Sequence, residues 1–375
     1  MPRAHQWNAR LGEVLDILQR EHGRTLGLGT VVPLPSCKPA ATSTYMSGMS
    51  RVPLRVADPE LWRVPGSGWE DAKPLTTTAQ QWSYLTPMPD RVSATWVDSV
   101  LNAQRDHGAS VLLSATGWVD LADGARSLST AMDWARESRQ RAGGGPLWIN
   151  LTMDSRWLSD DGLRNTLIDE IVESNERDWY LRFWWPEVTV RYGQLVDDAV
   201  LRGYRELAAA CSMEDKNLFA PNSGLTGWIA TALGARGFST GQSWAAQAFA
   251  RQRRIAARPG QPPPPRIPRI FDWTILHTIE HQEFSRLRTH PGHQTLNTAF
   301  LQEIDMRGHR PELAGLHYLV AVGGLTATLS GSHPNYKVAR RVRQAQKFID
   351  SLKPIDQPAG INRPAHLARW HHLVS

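Results

Sequence analysis

The strongest constraint on the fold is the alternation of short apolar runs and helical patterns over residues 216–244. The run 216–220 is followed by a Pro-Asn-Ser-Gly turn and by residues 225–233, whose apolar side chains recur at helical spacing. A second short run at 236–240 leads into another helical pattern. Strand–helix–strand–helix order with such short connections is typical of a parallel α/β sheet. We therefore expect an α/β fold.

The same alternation extends through most of the chain. Strands are predicted to begin near residues 82, 110, 147, 179, 216, 236 and 267, with helices between nearly all of them. Right-handed crossovers would place these strands in one parallel sheet. Seven strands, with 28–34 as a possible eighth, predict a (β/α)8 TIM-like barrel, and an open doubly wound sheet is the alternative.

The segments on either side of this pattern define three predicted regions. Residues 1–80 are expected to form an N-terminal amphipathic helix and, over 35–80, an irregular arm packed on the main domain. Residues 81–290 are the barrel-like catalytic domain. Residues 291–375 form a C-terminal helical extension with an amphipathic helix over 335–352 and a loose tail from 353.

Composition limits the cellular setting. With 375 residues, 41% of them hydrophobic, the chain can bury a large core. No apolar run approaches the roughly 18–20 residues of a membrane span, and the first residues lack the apolar core of a signal peptide. Two cysteines, Cys37 and Cys211, do not make a disulfide framework. These features favour a soluble, cytoplasmic protein without a membrane partner.

Polar residues at the predicted strand ends would gather on one face of a barrel. Asp272 and Asp154 are the candidate catalytic base or nucleophile, and Arg182 is the candidate anion clamp. Trp185 could stack on a substrate ring or could pack in the core. Further substrate-binding candidates at strand ends are Asn150, Asn222 and Ser239. The competing interpretation is that these polar residues are helix caps and turn formers.

The segment ALGARGFSTG at 232–241 suggests an anion site. It is similar to the phosphate-binding corner found late in many barrels that bind flavin or sugar phosphates. Small residues let the backbone approach an anion, and free amides at a helix N-terminus attract it. Thr240, Gly241 and Ser243 would form this cradle. The preceding loop at 221–224 matches that pattern only in part.

His277, Glu280 and His281 form an H-x-x-E-H motif. On a helix, the two imidazoles would lie one turn apart and could bind zinc, with Glu280 as general base. A polar helix at the rim of the barrel explains the same residues without a metal.

Two basic segments could contact nucleic acid. The net charge is +6, and arginines concentrate in 251–269, which includes Arg253 and Arg254. A second group, Arg340, Arg341 and Arg343, lies outside the apolar stripe of the 335–352 helix. Solvated charge on a loop and a helix face is the alternative.

Together these observations predict a soluble barrel enzyme, a transferase or hydrolase. Its substrate would be phosphate-bearing or nucleotide-like, possibly a nucleic-acid base, and its chemistry would use carboxylates. One alternative is a non-catalytic nucleic-acid-binding subunit of a larger assembly, and another is a zinc hydrolase. The sequence does not identify a cofactor, a protein partner or an oligomeric state.

Overall fold

A computed structural model describes residues 3–69, 76–185, 194–250 and 267–374. The chain has a mixed α/β fold, about half helical, with a mostly parallel sheet. The strands are β1 (Gly29–Pro33), β2 (Leu54–Asp58), β3 (Leu112–Leu113), β4 (Trp118–Val119), β5 (Leu147–Asp154), β6 (Asp178–Trp184), β7 (Asn217–Ala220), β8 (Gly237–Phe238), β9 (Arg269–Asp272) and β10 (His277–Glu280). The helices are α1 (Arg3–His22), α2 (Pro39–Gly48), α3 (Ala94–Arg105), α4 (Gly124–Arg141), α5 (Arg156–Ser159), α6 (Asp161–Glu173), α7 (Asp198–Met213), α8 (Gly224–Ala232), α9 (Trp244–Gln247), α10 (His281–Leu287), α11 (Ala299–Arg307), α12 (Pro311–Ala327), α13 (Pro334–Ser351) and α14 (His366–Val374).

The main sheet has six strands in the order β3-β5-β6-β7-β8, with β4 also paired to β5. Every one of these pairings is parallel, as the alternation of strands and helices predicts. The register places Thr152 of β5 opposite Arg182 of β6, and Asp154 opposite Trp184. Parallel strands end at the same edge, so these four side chains lie at the carboxyl end of the sheet.

Residues of the predicted irregular arm contribute to the same architecture. β1 and β2 pair in parallel, and Val56 of β2 makes a parallel bridge to Val111, the residue before β3. The arm prediction is therefore wrong over α2 and β2. The strand predicted from Trp82 is also wrong, because that segment forms turns.

A closed barrel is not shown. Over the described residues, β9 pairs only with β10, and this pairing is antiparallel. The helix predicted over 274–288 is wrong in its first half. That half consists of turn residues and β10, and the second half contains α10.

The two faces of the main sheet are both buried, as the continuous burial of β5 from 147 to 153 shows. One face packs against helices through residues such as Leu151 and Leu181. The other face contributes to a separate inner cluster from five strand regions: Val56, Val111, Leu113, Trp148, Tyr180 and, at its margin, Phe219. This inner cluster lies below the polar residues at the strand ends.

The C-terminal helices close one side of the fold. The predicted stripe of α13 is confirmed, because Val338, Val342, Ala345, Phe348 and Ile349 are all buried. The predicted loose tail is wrong where α14 forms, since Trp370 of α14 is fully buried. None of the described helices is both long and apolar enough to cross a membrane.

Candidate active site at the carboxyl ends of the strands

Arg182 is the central charge of the site. It comes from β6, is 1% exposed, and forms an ion pair with Asp58 at the end of β2, which is 2% exposed. Its Nη1 donates to Thr152 Oγ1 at 3.3 Å, and its Nε donates to Asn222 Oδ1 at 3.1 Å. All three guanidinium nitrogens are engaged, so Arg182 is fixed as a scaffold charge rather than free to clamp an anion as predicted.

A tyrosine completes this buried network. Tyr180 donates its hydroxyl to Asp58 Oδ2 at 3.3 Å, and burial and then the charge of Asp58 raise the pKa of Tyr180. Burial lowers the pKa of Arg182, but the charge of Asp58 and neighbouring groups more than offsets this, so that the pKa of Arg182 is raised. Arg182 therefore stays charged and holds Asp58 in place.

Glu60 is the second carboxylate of the site. Its backbone N–H donates to Asp58 Oδ1 at 3.0 Å, and its φ of 45° is left-handed, which costs free energy for a residue other than glycine. Its Oε2 accepts a hydrogen bond from Arg63 Nη1 at 2.8 Å. Burial and the charge of Asp58 raise the pKa of Glu60, while Arg63 and Arg182 partly offset them. We refer to Asp58, Glu60, Arg63 and Arg182 as the ion cluster.

An aromatic cluster lies at the same edge of the sheet. Its five partly exposed members are Trp62, Trp69, Trp118, Trp184 and Phe249. Trp69 is central, with ring centroids 4.8 Å from Trp62, 5.4 Å from the stacked Trp118 and 5.8 Å from Trp184. Such rings offer apolar faces for a flat ligand.

The aromatic cluster contacts the ion cluster directly. The guanidinium carbon of Arg182 lies 6.0 Å from the Phe249 ring centroid, and that of Arg63 lies 6.0 Å from the Trp62 ring centroid. Phe249 is held by its N–H, which donates to Asn222 O at 2.9 Å, and by its C=O, which accepts from Trp185 N at 2.9 Å. Stacking surfaces and ionisable groups therefore meet in one place.

Asn222 is a positioning residue of this site. Its φ of 51° is left-handed, a conformation that asparagine tolerates. Its N–H donates to Ser239 Oγ at 3.1 Å, and its Nδ2 donates to Ala246 O at 3.3 Å. Asn222 and Ser239 are thus used to hold Arg182 and the loop before Phe249.

The other predicted residues of β5 lie at this edge. Asn150 is 2% exposed, and in the described part of the chain its Oδ1 has no hydrogen-bond partner. Asp154 is opposite Trp184 in the register, and its Oδ1 accepts from Arg156 N at 2.8 Å and Arg156 Nε at 3.1 Å. The structure therefore brings Asp154 next to the aromatic cluster.

Residues of the predicted phosphate cradle make contacts within the protein. Thr240 Oγ1 lies 3.0 Å from the hydroxyl of Tyr318. A Cβ on Gly241 would overlap Ala246, so the space above this glycine is occupied. Ser243 precedes α9, whose four residues offer little helix dipole. These contacts give no support to an anion site at this loop.

Trp185 does not line the cleft. It is fully buried on the helix side, where its Nε1 donates to Tyr204 Oη at 3.1 Å. The core interpretation of Trp185 is confirmed, and its neighbour Trp184 faces the site.

The H-x-x-E-H motif does not form the expected helical arrangement. His277 and Glu280 are on β10, three residues apart on a strand, so their side chains point to opposite faces. Only His281 is helical, at the first position of α10. Among the residues that the structure describes, no group of three or more His, Cys, Asp or Glu side chains could hold a metal ion.

Asp272 lies outside the ion cluster. It is fully buried at the end of β9, where His293 Nε2 lies 3.0 Å from its Oδ2. Its Oδ1 accepts from Thr274 N at 2.8 Å. In the described residues, no hydrogen bond or ion pair connects Asp272 with Arg182 or Asp154, so these three predicted catalytic residues do not form one constellation.

The arginines predicted to contact nucleic acid differ in their exposure to solvent. Arg340 and Arg343 are exposed on α13, as expected. Arg341 instead turns inward and donates to Trp273 O, and burial lowers the pKa of Arg341 to about 10. Arg253 and Arg254 lie outside the described residues.

The ion and aromatic clusters contain residues that the sequence prediction missed. Asp58 and Glu60 lie in LRVADPE, an apolar strand that ends in a carboxylate and a proline, which is the strand-end signal used elsewhere in the chain. The surrounding Pro-, Ser- and Gly-rich composition concealed it. No protein family model, curated protein or solved structure matches this chain.

Proposed function

We propose that this chain is an enzyme that stacks the flat ring of a nucleotide-like substrate on the aromatic cluster and uses Glu60 as a general acid–base. The observation that supports this best is the direct contact between a partly exposed aromatic surface and a mostly buried ionic group. Tryptophan faces bind nucleobases through stacking, with about 1–3 kcal/mol per base. Ligands of parallel α/β sheets bind at the carboxyl ends of the strands.

Glu60 is better suited to proton transfer than the other carboxylates of the site. Its raised pKa brings its titration closer to neutral pH, where a group can both donate and accept a proton. Its side chain is 18% exposed, whereas that of Asp58 is 3% exposed and paired with Arg182. Asp58 then orients Glu60 by accepting the hydrogen bond from its backbone N–H.

Asp154 is the proposed second carboxylate. Its side chain is 13% exposed beside Trp184, and Arg156 keeps it oriented. A pair of carboxyl groups beside a bound base would support either hydrolysis of a bond to the base or transfer to another acceptor. The transferase and hydrolase assignments of the sequence therefore both stay proposals for this site.

We also propose that the sheet curves toward a barrel. The inner cluster collects side chains from β2, β3, β5 and β6, with Val31 of β1 and Phe219 of β7 at its margin. Strands as far apart as β1 and β7 can share one apolar cluster only if the sheet bends around it. Such curvature would bring Asp58 to Arg182, which the ion pair requires.

Binding is tested by tryptophan fluorescence. We expect nucleosides, nucleotides and free bases to quench the emission in a saturable way, because their rings stack on the aromatic cluster. Ribose 5-phosphate, which has no base, should not quench it. Trp69→Leu should weaken the affinity measured by this quenching about tenfold or more, because one stacking contact is lost. Absence of saturable quenching by every ring-containing ligand would contradict the proposal.

Catalysis is tested with the ligands that bind. Incubation products are separated by liquid chromatography, and Glu60→Gln should retain binding while turnover falls about 100-fold or more. Asp133→Asn, an exposed carboxylate on α4, is the matched control and should keep full turnover. Equal turnover in Glu60→Gln and the parent protein would remove Glu60 from the mechanism.

The second candidate function is nucleic-acid binding by α13. Arg340, Arg343 and Lys347 are exposed on this helix, and over the described residues none of them has a carboxylate partner. Cations without a carboxylate partner on one helix face can neutralise phosphates.

Salt dependence tests this candidate. If the α13 face binds nucleic acid, replacing Arg340, Arg343 and Lys347 by Gln should reduce the slope of log affinity against log salt by about three. Arg136→Gln, at an exposed position of α4, is the control and should not change the slope. An unchanged slope in the triple variant would assign these charges to solvent.

A further inference from the structure

A second polar constellation surrounds Asp272, away from the ion and aromatic clusters. Asp272 is fully buried, and the side chain of His293 is 1% exposed. His293 Nε2 lies 3.0 Å from Asp272 Oδ2, and His293 Nδ1 lies 3.1 Å from Thr295 Oγ1. The three side chains therefore form a continuous chain from a buried carboxylate to a hydroxyl.

The hydrogen-bond roles in this chain follow from its chemistry. An ionised carboxylate only accepts hydrogen bonds, so His293 Nε2 carries the proton and donates to Asp272. In the neutral imidazole, Nδ1 is then an acceptor, and Thr295 must donate its hydroxyl proton to it. This is the arrangement of an activated nucleophile: a hydroxyl bonded to a base whose tautomer is fixed by a third group.

Thr295 also lines a cavity that is open at the surface. This open cavity of about 510 Å³ is lined by Arg288, Thr295, Asn297, Gln302, Asp305 and Met306. Its volume is within the range of small-molecule sites. The Arg288–Asp305 pair, with contacts of 2.9 and 3.1 Å, fixes one wall, and Met306 supplies an exposed apolar surface.

We propose that Thr295, His293 and Asp272 form an acyl-transfer site that cleaves small carboxylic esters in this cavity. Thr295 Oγ attacks the ester carbonyl carbon, and its proton passes to His293 Nδ1. The bond to the alcohol breaks, and the alcohol leaves with that proton, which gives an acyl-threonine. Water then attacks the acyl carbon, and its proton returns through His293 to Thr295 Oγ as the carboxylic acid leaves. Asp272 orients His293, so it is a positioning residue and not the base or nucleophile that the sequence predicts.

The same contacts could serve only to anchor a loop, since Thr274 Oγ1 also bonds Gln294 on both its N–H and C=O. Anchoring needs the Asp272–His293 pair but makes no use of a nucleophilic hydroxyl on a residue that lines the cavity. The two roles therefore separate at Thr295, where a substitution removes the nucleophile and leaves the buried pair intact.

The probes are p-nitrophenyl acetate, whose hydrolysis releases p-nitrophenolate, and an alkyl fluorophosphonate, which modifies activated hydroxyls. We expect hydrolysis above the uncatalysed rate and a single fluorophosphonate adduct that peptide mass spectrometry places on Thr295. Thr295→Val, of nearly the same shape, should lose the adduct and about 100-fold or more of the rate. Thr295→Ser should retain both.

The controls distinguish catalysis from stability. Thr289→Val removes an exposed hydroxyl whose one hydrogen bond to the described residues is to Arg286 O, and it should change neither the rate nor the adduct. Asp272→Asn should lower the rate and shift its pH profile, because the His293 tautomer is no longer fixed. If Asp272→Asn does not fold, Thr295→Val remains decisive. An unlabelled parent protein, an adduct elsewhere, or equal rates in Thr295→Val and the parent would overturn the proposal.

Discussion

The ion pair between Asp58 and Arg182 shows how a single residue can hold the candidate site together. Both side chains are almost fully buried, and Arg182 also ties β6 to Thr152 and Asn222. We expect Asp58→Asn to reduce the free energy of unfolding by about 3–5 kcal/mol, because an uncompensated guanidinium would stay buried. Urea unfolding measures this change.

The exposed pair Arg177–Asp215 provides the control for this prediction. Its side chains are 62% and 87% exposed, so Asp215→Asn should leave the urea midpoint nearly unchanged. The double variant Asp58→Leu with Arg182→Met should recover much of the stability that Asp58→Asn loses, since no buried charge then remains unpaired. A double variant as unstable as Asp58→Asn would mean that the pair's neighbours, and not its charge, dominate.

A second residue-scale prediction concerns the protonation of Glu60. Arg63 opposes the burial and the Asp58 charge that raise the pKa of Glu60. Arg63→Gln should therefore raise the pKa of Glu60 further and move the corresponding limb of the pH profile of kcat/KM to higher pH. Arg156→Gln, which removes the partner of Asp154, should leave that limb in place. A limb that moves to lower pH in Arg63→Gln would contradict the assignment of Glu60.

At the scale of elements, sequence periodicity predicted what had a long and regular pattern. The α13 stripe recurs over about three turns. The parallel order of β5, β6 and β7 follows from strand–helix alternation. Short elements are poorly predicted from periodicity. β2 lies among prolines and small residues, and the sequence of β10 is part of an H-x-x-E-H motif that predicts a helix. The Asp58–Arg182 contact joins residues 124 positions apart, and no local pattern contains it.

The packing of α12 on the loop after β8 gives an element-scale prediction. A Cβ on Gly315 of α12 would overlap the backbone oxygen of Gln242. Gly315→Ala should therefore lower stability by about 1–3 kcal/mol although alanine favours helices. It should also weaken ligand quenching, because this loop leads to Phe249.

Gly48→Ala is the matched control for Gly315→Ala. Gly48 is the last residue of α2, and no atom of the residues that the structure describes lies within 4 Å of its added Cβ. Its substitution should leave the thermal midpoint unchanged or slightly raised. A Gly315→Ala variant that behaves like Gly48→Ala would show that the loop shifts freely away from α12.

At the scale of the whole molecule, both proposed sites depend on distant segments that the helices hold together. The ion cluster combines β2 with β6, and the acyl-transfer site combines β9 with the loop before α11. The fold has a second core cluster beside the core of the main sheet. In this second core, Ile270 of β9 packs with residues of α1, α11 and α12. Loss of this second core should therefore affect Asp272 and His293 before it affects the main sheet.

Buried histidines around β9 and β10 predict acid sensitivity of the whole fold. Burial lowers the pKa of His277 and of His317 to about 4, and burial lowers the pKa of His366 well below its usual value. An unfolded chain binds protons at these histidines below about pH 6.5, whereas in the folded chain His277 and His317 do not bind them until about pH 4. Stability should therefore fall as pH decreases through this window.

The expected size follows from the linkage between protons and folding. His277 and His317 should each reduce the free energy of unfolding by about 2 kcal/mol between pH 7 and pH 5, which urea unfolding at the two values measures. His317→Asn should lower stability at pH 7, because Thr298 and Phe271 O lose their partner, yet it should reduce the loss between pH 7 and pH 5. His372→Gln, on an exposed position of α14, should leave that loss unchanged. An equal loss in His317→Asn and the parent protein would mean that His317 is already protonated in the folded state at pH 5.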